Sequence, residues 1–206
     1  EMWSTAVKEG VKPIIGIEAY VTPETARQDQ TRVSWDTNWN PDIDPQHRRR
    51  NPNDVSGGGL ITHLTMWAET DEGLVNLMKA STDANLEGRV MRYPRMDKEI
   101  LAKYSKGIIA SSGCPSGIIQ TRLLLGQFDE ALRAAGELQD IFGRDNFYIE
   151  FMDHGLKIEK QVTDGLLDIA KKLNAPLLAT NDSHYVRAED AGSQDAMLCI
   201  NSGSTL

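Results

Sequence analysis

The chain of 206 residues alternates between short apolar segments rich in β-branched residues and longer segments whose apolar residues have helical spacing. Such alternation favours parallel strand pairing with helices outside the sheet, in a barrel or in an open doubly wound sheet. The predicted strands are residues 11–21, 60–69, 107–112, 146–152 and 175–180. The predicted helices are residues 2–8, 72–86, 98–105, 118–125, 128–142 and 157–173. One α/β domain of ordinary size accommodates all of these elements.

The ends of several predicted helices carry recognisable capping residues. Gly10 is suited to end the first helix, since glycine adopts the left-handed conformation common after a helix C-terminus. Asp71 and Asp97 each precede a helical segment and can accept hydrogen bonds from its first free N–H groups. These signals place the second and third helices directly after Asp71 and Asp97.

Residues 22–59 interrupt the alternation. This segment lacks apolar periodicity and contains four prolines, many Asn, Asp and Arg residues, and three consecutive glycines. Long loops of this composition are usually functional or disordered, so we expect it to be the least ordered and most exposed part of the chain. Trp35 and Trp39 are expected to anchor it to the body. His47, beside the run Arg48–Arg50, is expected to be solvated.

The charge and the cysteine content restrict the function. The net charge is −8 and the pI is near 5, whereas surfaces that bind duplex DNA directly are usually basic. Contact with nucleic acid would therefore be local or carried by metal ions. Cys114 and Cys199 stand far apart in different contexts, which favours a reducing, cytoplasmic compartment over a disulfide framework. No glycine-rich phosphate loop motif of either common type is present.

Five residues with metal-ligand chemistry lie in or directly after four predicted strands. They are Glu18, His63, Cys114, Asp182 and His184. The C-terminal ends of parallel strands gather at one face, so these side chains are expected to converge in one pocket. Taken singly, a strand histidine is more often a core residue than a ligand, and a lone cysteine is more often a buried hydrophobe. Imidazole, thiolate and carboxylate together are the set that binds zinc, manganese or iron, so the sequence predicts a metal site.

His154 is a further candidate for the same pocket. It follows the predicted strand 146–152 in the sequence Met152-Asp153-His154-Gly155. Its imidazole either lines the pocket or forms a structural pair with Asp153, and the sequence favours neither alternative.

Several sequence blocks resemble, in the same order, the PHP (polymerase and histidinol phosphatase) domain of the bacterial DNA polymerase III alpha subunit, a replicative C-family polymerase. The blocks are VKPIIGIEAYV, HLTMWAETDEGLVNLMKAS, GIIASSGCPSG, NFYIEFMDHGL and PLLATNDSHYVRAEDA. The resemblance covers the chain outside residues 22–59, which would be a variable surface insertion. It implies a distorted (β/α)7 barrel and a partial PHP domain over residues 1–206. The first barrel strands would precede Glu1, and the palm, thumb and fingers would follow Leu206.

The same resemblance implies a ligand set. PHP domains that keep their ligands hold up to three divalent ions, here zinc, manganese or iron, while the parent polymerase uses magnesium. Glu18 would bridge two ions, and His63 and Cys114 would share one of these. Asp182 would join the ion held by the family's first His-x-His pair, and His184 would join the third ion. Catalytic roles would fall to Asp182, His184 and Glu18.

The resemblance also implies a function for the parent protein. That protein would be a DNA-directed DNA polymerase, a nucleotidyltransferase acting in replication, and its PHP domain would be a metal-dependent 3′–5′ proofreading exonuclease. Two alternatives remain open: a structural PHP domain braced by metal, and a free-standing PHP phosphoesterase. The expected partners are DNA, the remaining polymerase domains of the same chain and replisome subunits such as the sliding clamp, with no membrane.

Overall fold

A computed structural model describes residues 1–36, 51, 53–54 and 59–206. Its strands form one sheet: β1 (Gly16–Val21), β2 (Thr62–Ala68), β3 (Arg89–Val90), β4 (Tyr93–Met96), β5 (Ile108–Ser111), β6 (Phe147–Phe151) and β7 (Leu177–Ala179). Its helices are α1 (Met2–Lys8), α2 (Asp71–Glu87), α3 (Lys98–Lys103), α4 (Ile118–Leu124), α5 (Phe128–Phe142), α6 (Lys157–Leu173) and α7 (Ala191–Ser202). A 3₁₀ turn, Ala188–Asp190, precedes α7. None of the helices in these ranges combines the length and the apolar character needed to cross a lipid bilayer.

The sheet is mixed and open, with the strand order β3-β4-β1-β2-β5-β6-β7. Strands β1, β4, β5, β6 and β7 run in one direction, while β2 and β3 run in the other. The α/β class is confirmed, and the arrangement is consistent with a distorted PHP barrel that is not closed. The expectation of parallel pairing throughout is wrong for β2. A parallel neighbour needs a crossover connection, usually a helix, and between β1 and β2 the described residues contain none.

The two faces of the sheet have different roles. Ala19, Leu64, Ala110 and Ile149 belong to the buried core, to which α2, α5 and α6 also contribute. Burying a side chain the size of Ile149 stabilises the fold by about 1.5–3 kcal/mol. Since successive strand residues alternate between faces, the neighbours of these core residues point to the opposite face. Those neighbours are Glu18, His63, Ser111 and Glu150.

Several element boundaries differ from the sequence-based expectation. Helices α5 and α6 coincide with the predicted ranges, because their apolar residues recur at helical spacing along one buried face. The cap of α2 is Thr70, whose hydroxyl accepts from the Gly73 N–H at 3.1 Å, and Asp71 is instead the first helical residue. Asp97 caps α3 as predicted, accepting from the Ile100 N–H. The β3–β4 hairpin and α7 were not predicted.

The start of residues 22–59 is held against the body. Residues 22–36 contain no helix or strand, but the expectation of an exposed segment is wrong at Thr22, Pro23 and Trp35, which are buried. The predicted anchoring by Trp35 is confirmed, since the Arg122 guanidinium lies 4.2 Å from the centre of its ring. Trp39, His47 and Arg48–Arg50 lie outside the described residues.

A group of ion pairs holds this segment in place, and we call it the arginine clamp: Arg27, Arg122 and Arg133 with Glu24 and Asp97. Arg27 lies 3.1 Å from Asp97, while Glu24 pairs with both Arg122 and Arg133. The carboxylate of Asp97 is thus both a helix cap and an ion-pair partner. The clamp joins the segment to α3, α4 and α5.

Candidate metal centre

Three of the predicted ligands come together in the structure. One ligand atom from each of Glu18, His63 and Cys114 lies within 4.8 Å of the other two. His63 Nδ1 is 3.0 Å from Glu18 Oε1 and 3.4 Å from Cys114 Sγ. The imidazole therefore stands between the carboxylate and the thiol.

Strand pairing places Glu18 beside His63. In the β1–β2 register His63 lies opposite Tyr20, so Glu18, two residues earlier on the same face, is its diagonal neighbour. The two aromatic rings of Tyr20 and His63 also pack, with centroids 5.5 Å apart. Because β2 is antiparallel, His63 stands near the beginning of its strand and not at the C-terminal end that the sequence suggested. It reaches the site because that beginning lies at the same sheet edge as the C-terminal ends of β1 and β5.

A tight turn after β5 brings in Cys114. Gly113 has φ +80°, a conformation that costs glycine little, and a Cβ there would approach the His63 carbonyl oxygen to 3.2 Å. The side-chain amide of Gln120 donates to the Gly113 carbonyl at 2.7 Å, and the Gly117 N–H donates to the Cys114 carbonyl at 2.8 Å. The turn is thus held on both sides of the thiol and packed directly on β2.

The electrostatics of the three residues favour an added cation. Burial and the negative charge of Glu18 raise the pKa of the Cys114 thiol to about 12. The hydrogen bond from His63 lowers the pKa of Glu18, against the effect of partial burial. A divalent ion would stabilise the thiolate that the protein alone disfavours, because a metal-bound thiol loses its proton.

The donor set and its spacing fit a metal ion. Ligand atoms around one ion lie roughly 3–3.6 Å apart when the metal–ligand bonds are about 2.0–2.3 Å. The distances from His63 Nδ1 to Glu18 Oε1 and to Cys114 Sγ, 3.0 and 3.4 Å, fall in that range. One carboxylate, one imidazole and one thiol give mixed oxygen, nitrogen and sulfur ligation, which suits zinc and other borderline transition metals.

Asp182 and His184 form a second, adjoining pair. His184 Nε2 lies 3.4 Å from Asp182 Oδ1, and both side chains line a cavity of about 550 Å³ that also contains Pro115, next to Cys114. Their charges reach the first three residues, since Asp182 raises the pKa of Cys114 and His184 lowers that of Glu18. The pair therefore lies beside the three-residue cluster. It does not belong to the group whose ligand atoms all lie within 4.8 Å of one another.

His154 lies on the wall of the same cavity, and its partner is a residue that the sequence did not indicate. Its Nδ1 is 2.5 Å from Glu159 Oε1, and its own N–H donates to Glu159 Oε2 at 2.8 Å. The hydrogen bond to Glu159 raises the pKa of His154. Asp153 instead accepts from the Gly155 N–H, so pairing between Asp153 and His154 is not observed.

Two buried glutamates near the site were missed from the sequence. Glu150 on β6 and Glu159 on α6 are only 3% and 5% exposed. Glu150 carries the same signal that singled out Glu18, a carboxylate inside an apolar strand. Glu159 carries a weaker signal, since an acidic residue in the first turn of a helix is common.

Comparisons with known proteins identify the family of the chain. Residues 1–154 match the PHP domain family. The chain is 49% identical over its full length to the DNA polymerase III subunit alpha of Mycobacterium tuberculosis, covering 16% of that protein. The corresponding values are 51% and 17% for Saccharopolyspora erythraea, and 37% and 15% for Thermus aquaticus, again over the whole chain. The chain thus spans about one sixth of the length of these relatives. The chain belongs to the PHP domain family.

Proposed function

We propose that this chain is part of the PHP domain of a DNA polymerase III alpha subunit, and that the domain is a metal-dependent 3′–5′ exonuclease. The observation that carries the proposal is the convergence of Glu18, His63 and Cys114 beside a cavity lined by Asp182 and His184. In this proposal the parent protein is a cytoplasmic, magnesium-dependent DNA polymerase. Its partners are DNA, the other polymerase domains and replisome subunits such as the sliding clamp.

Charge explains why such a site needs metal ions to act on DNA. The chain carries a net charge of −8, and among the described residues no lysine or arginine lines the cavity beside the cluster. A phosphodiester entering this cavity would meet Asp182 and Glu159 without a permanent counter-charge. Bound divalent ions supply an activated water and neutralise phosphate charge, which inverts the local potential.

The candidate site residues would have two different roles. Glu18, His63 and Cys114 would hold one ion, with the thiol buried and the imidazole between its two partners. Asp182 and His184 would complete the site from the cavity side. The cavity of about 550 Å³ would receive the end of a single strand, whose phosphate would lie against these two side chains. The proposal includes up to three ions of zinc, manganese or iron, which are metals that bind carboxylate, imidazole and thiolate donors.

A second candidate function is structural. The three-residue cluster joins β1, β2 and the turn after β5, so a bound ion would tie three separate parts of the chain together. Metal binding of this kind adds directly to the free energy of folding. A free-standing phosphoesterase is less favoured, because the relatives that match the full chain are polymerase subunits.

The test uses the full-length alpha subunit with Asp182→Asn. The amide keeps the shape of the side chain but carries no charge, so we expect proofreading to be abolished while synthesis continues. Two activities are measured on one preparation: release of nucleotides from a mismatched 3′ end and extension of a matched primer. Asp168→Asn, an exposed aspartate on α6, is the matched control and should retain both activities.

The outcomes separate the two candidates. Retained proofreading in Asp182→Asn contradicts the exonuclease proposal. Loss of both activities, with a lowered melting temperature, favours the structural function instead.

A further inference from the structure

We propose that Glu150 is a positioning residue that ties together the two ligand-bearing strand ends of the metal centre, the one leading to Cys114 and the one leading to Asp182. This inference rests on the proposed function. Glu150 itself is not assigned a metal ion. It acts through Ser111 and Thr180, which precede the two ligands.

The contacts of Glu150 span three neighbouring strands. Its Oε2 accepts a hydrogen bond from the Ser111 hydroxyl at the end of β5, and its Oε1 accepts one from the Thr180 hydroxyl after β7. Its backbone is held as well, since the Glu150 N–H donates to Ser112 Oγ at 2.9 Å. Since β6 lies between β5 and β7, the Glu150 side chain is hydrogen-bonded to residues at the ends of both neighbouring strands.

Both residues that donate to the Glu150 carboxylate lie just before a predicted ligand. Ser111 is three residues before Cys114, and Thr180 is two residues before Asp182. Beyond Thr180, whose N–H donates to the Phe151 carbonyl at 3.3 Å, Asp182 adopts φ +42°. Aspartate tolerates this left-handed conformation better than most residues, and the turn that contains it begins directly after Thr180. Within the part of the chain that the structure describes, the hydrogen bond from the Thr180 hydroxyl to Glu150 is the last side-chain bond to another strand before that turn.

The burial of Glu150 argues against a purely packing role. Its side chain is 3% exposed, and among the residues the structure describes no lysine, arginine or histidine pairs with it. An acidic group buried without a cation is costly, and an apolar residue of similar volume would pack as well or better. Glu150 also shares the sheet face of Glu18 and His63. Both facts fit a group retained for the site.

The experiment measures metal binding on the full-length alpha subunit after removal of its ions by chelation. Cobalt(II) is the probe, because its charge-transfer band with a thiolate reports coordination by Cys114. Glu150→Gln keeps the volume but replaces one acceptor oxygen by an NH2 group, so the side chain can accept the hydrogen bond of only one of the two hydroxyls. We expect the apparent Kd for cobalt to rise by roughly 10- to 100-fold, the usual effect of losing a support of a metal ligand.

Two further variants each remove one of the two hydrogen bonds to the Glu150 side chain. Ser111→Ala should weaken the thiolate band, because it frees the strand end that leads to Cys114. Thr180→Val should leave that band in place while lowering the number of ions bound, because it frees only the segment carrying Asp182 and His184. Asp97→Asn is the matched control: another buried carboxylate is neutralised, and the cobalt spectrum should not change.

Each result decides the matter. Wild-type cobalt affinity and band in Glu150→Gln overturn the inference; if that variant does not fold, wild-type behaviour of both Ser111→Ala and Thr180→Val overturns it. A wild-type protein that binds cobalt but lacks exonuclease activity contradicts the proposed function alone. An active exonuclease whose variants all bind cobalt normally contradicts this inference alone.

Discussion

Two groups of carboxylates in this chain differ in the cations around them. In the arginine clamp, Asp97 pairs with Arg27, and Glu24 pairs with Arg122 and Arg133. At the metal centre, Glu18 and Asp182 have histidines as their partners, and no ion pair with lysine or arginine reaches them within the described ranges. The first group carries its counter-charges in the sequence, whereas the second leaves room for a cation from solution.

The pKa values follow the same division. Burial works against the charge of Asp97, yet backbone N–H groups and the Arg27 guanidinium lower its pKa below the ordinary 3.8. At the metal centre, burial and the Glu18 carboxylate raise the pKa of Cys114 to about 12. Charges that serve the fold are stabilised by the protein itself, whereas the charged form of Cys114, a donor of the candidate site, is disfavoured by the protein and would be stabilised by an added ion.

The largest effect is expected from exchanging one glutamate in each group for glutamine. Glu18→Gln removes a metal ligand, so the affinity for zinc should fall by more than about 100-fold, beyond the loss typical of a residue that merely supports a ligand. Glu24→Gln, the same exchange in the clamp, should leave that affinity unchanged. Bound metal is measured after dialysis of the full-length subunit against buffered zinc. Loss of zinc in both variants would contradict the distinction between carboxylates that bind metal and carboxylates that pair with arginine.

The next largest effect is the loss of stability expected when the Asp97 carboxylate is removed from the arginine clamp. Asp97→Ala removes the cap of α3 and leaves Arg27 without one of its partners, at a cost of about 2–4 kcal/mol in the free energy of unfolding. Denaturant unfolding of the full-length subunit measures it. Glu72→Ala, at an exposed pair with Lys106, is the control and should cost under about 1 kcal/mol. Equal costs for both would mean that the clamp is no stronger than a surface pair.

A smaller effect is expected from acid. Burial opposes the charge of Glu24, but hydrogen bonds from Arg133 and Arg122 lower its pKa below the ordinary 4.5. Because the pKa is depressed in the folded state, this stabilisation is complete above pH 4.5 and is lost as the pH falls through the folded value. The melting temperature of wild type should therefore fall more steeply on acidification than that of Glu24→Gln. Parallel curves would show that Glu24 contributes nothing to acid sensitivity.

The smallest effect belongs to the exposed side of the clamp. Arg133 is nearly half exposed and shares Glu24 with Arg122, besides pairing with Glu130 and Glu137 along α5. Pairs of this kind are screened by water, so Arg133→Ala should cost under about 1 kcal/mol. A melting curve of the full-length subunit at low and high salt measures the difference. A cost as large as that of Asp97→Ala would mean that the exposed ion pairs of the clamp stabilise the fold as much as the buried ones.

Sequence reasoning worked where a pattern had one local cause. The apolar spacing of α5 and α6 matches their boundaries, because each helix buries one stripe. It failed for α7, which buries no residue and therefore carries no stripe to detect. The β3–β4 hairpin was missed because its strands are only two and four residues long and one contains Pro94. Arg95 was not expected inside, yet it is fully buried and donates to the carbonyls of Arg27 and Asp29.

The sequence by itself determined the family, the helices α1 to α6 and the chemical types of the candidate ligands, since these depend on residue identity and short-range spacing. Only the tertiary structure decided that β2 runs antiparallel, that Glu18 meets His63 on a diagonal, and that Glu150 joins two ligand-bearing strand ends. Each of these contacts joins residues 30 or more positions apart. Their geometry depends on strand register, where a shift of one residue would turn every side chain to the other face of the sheet.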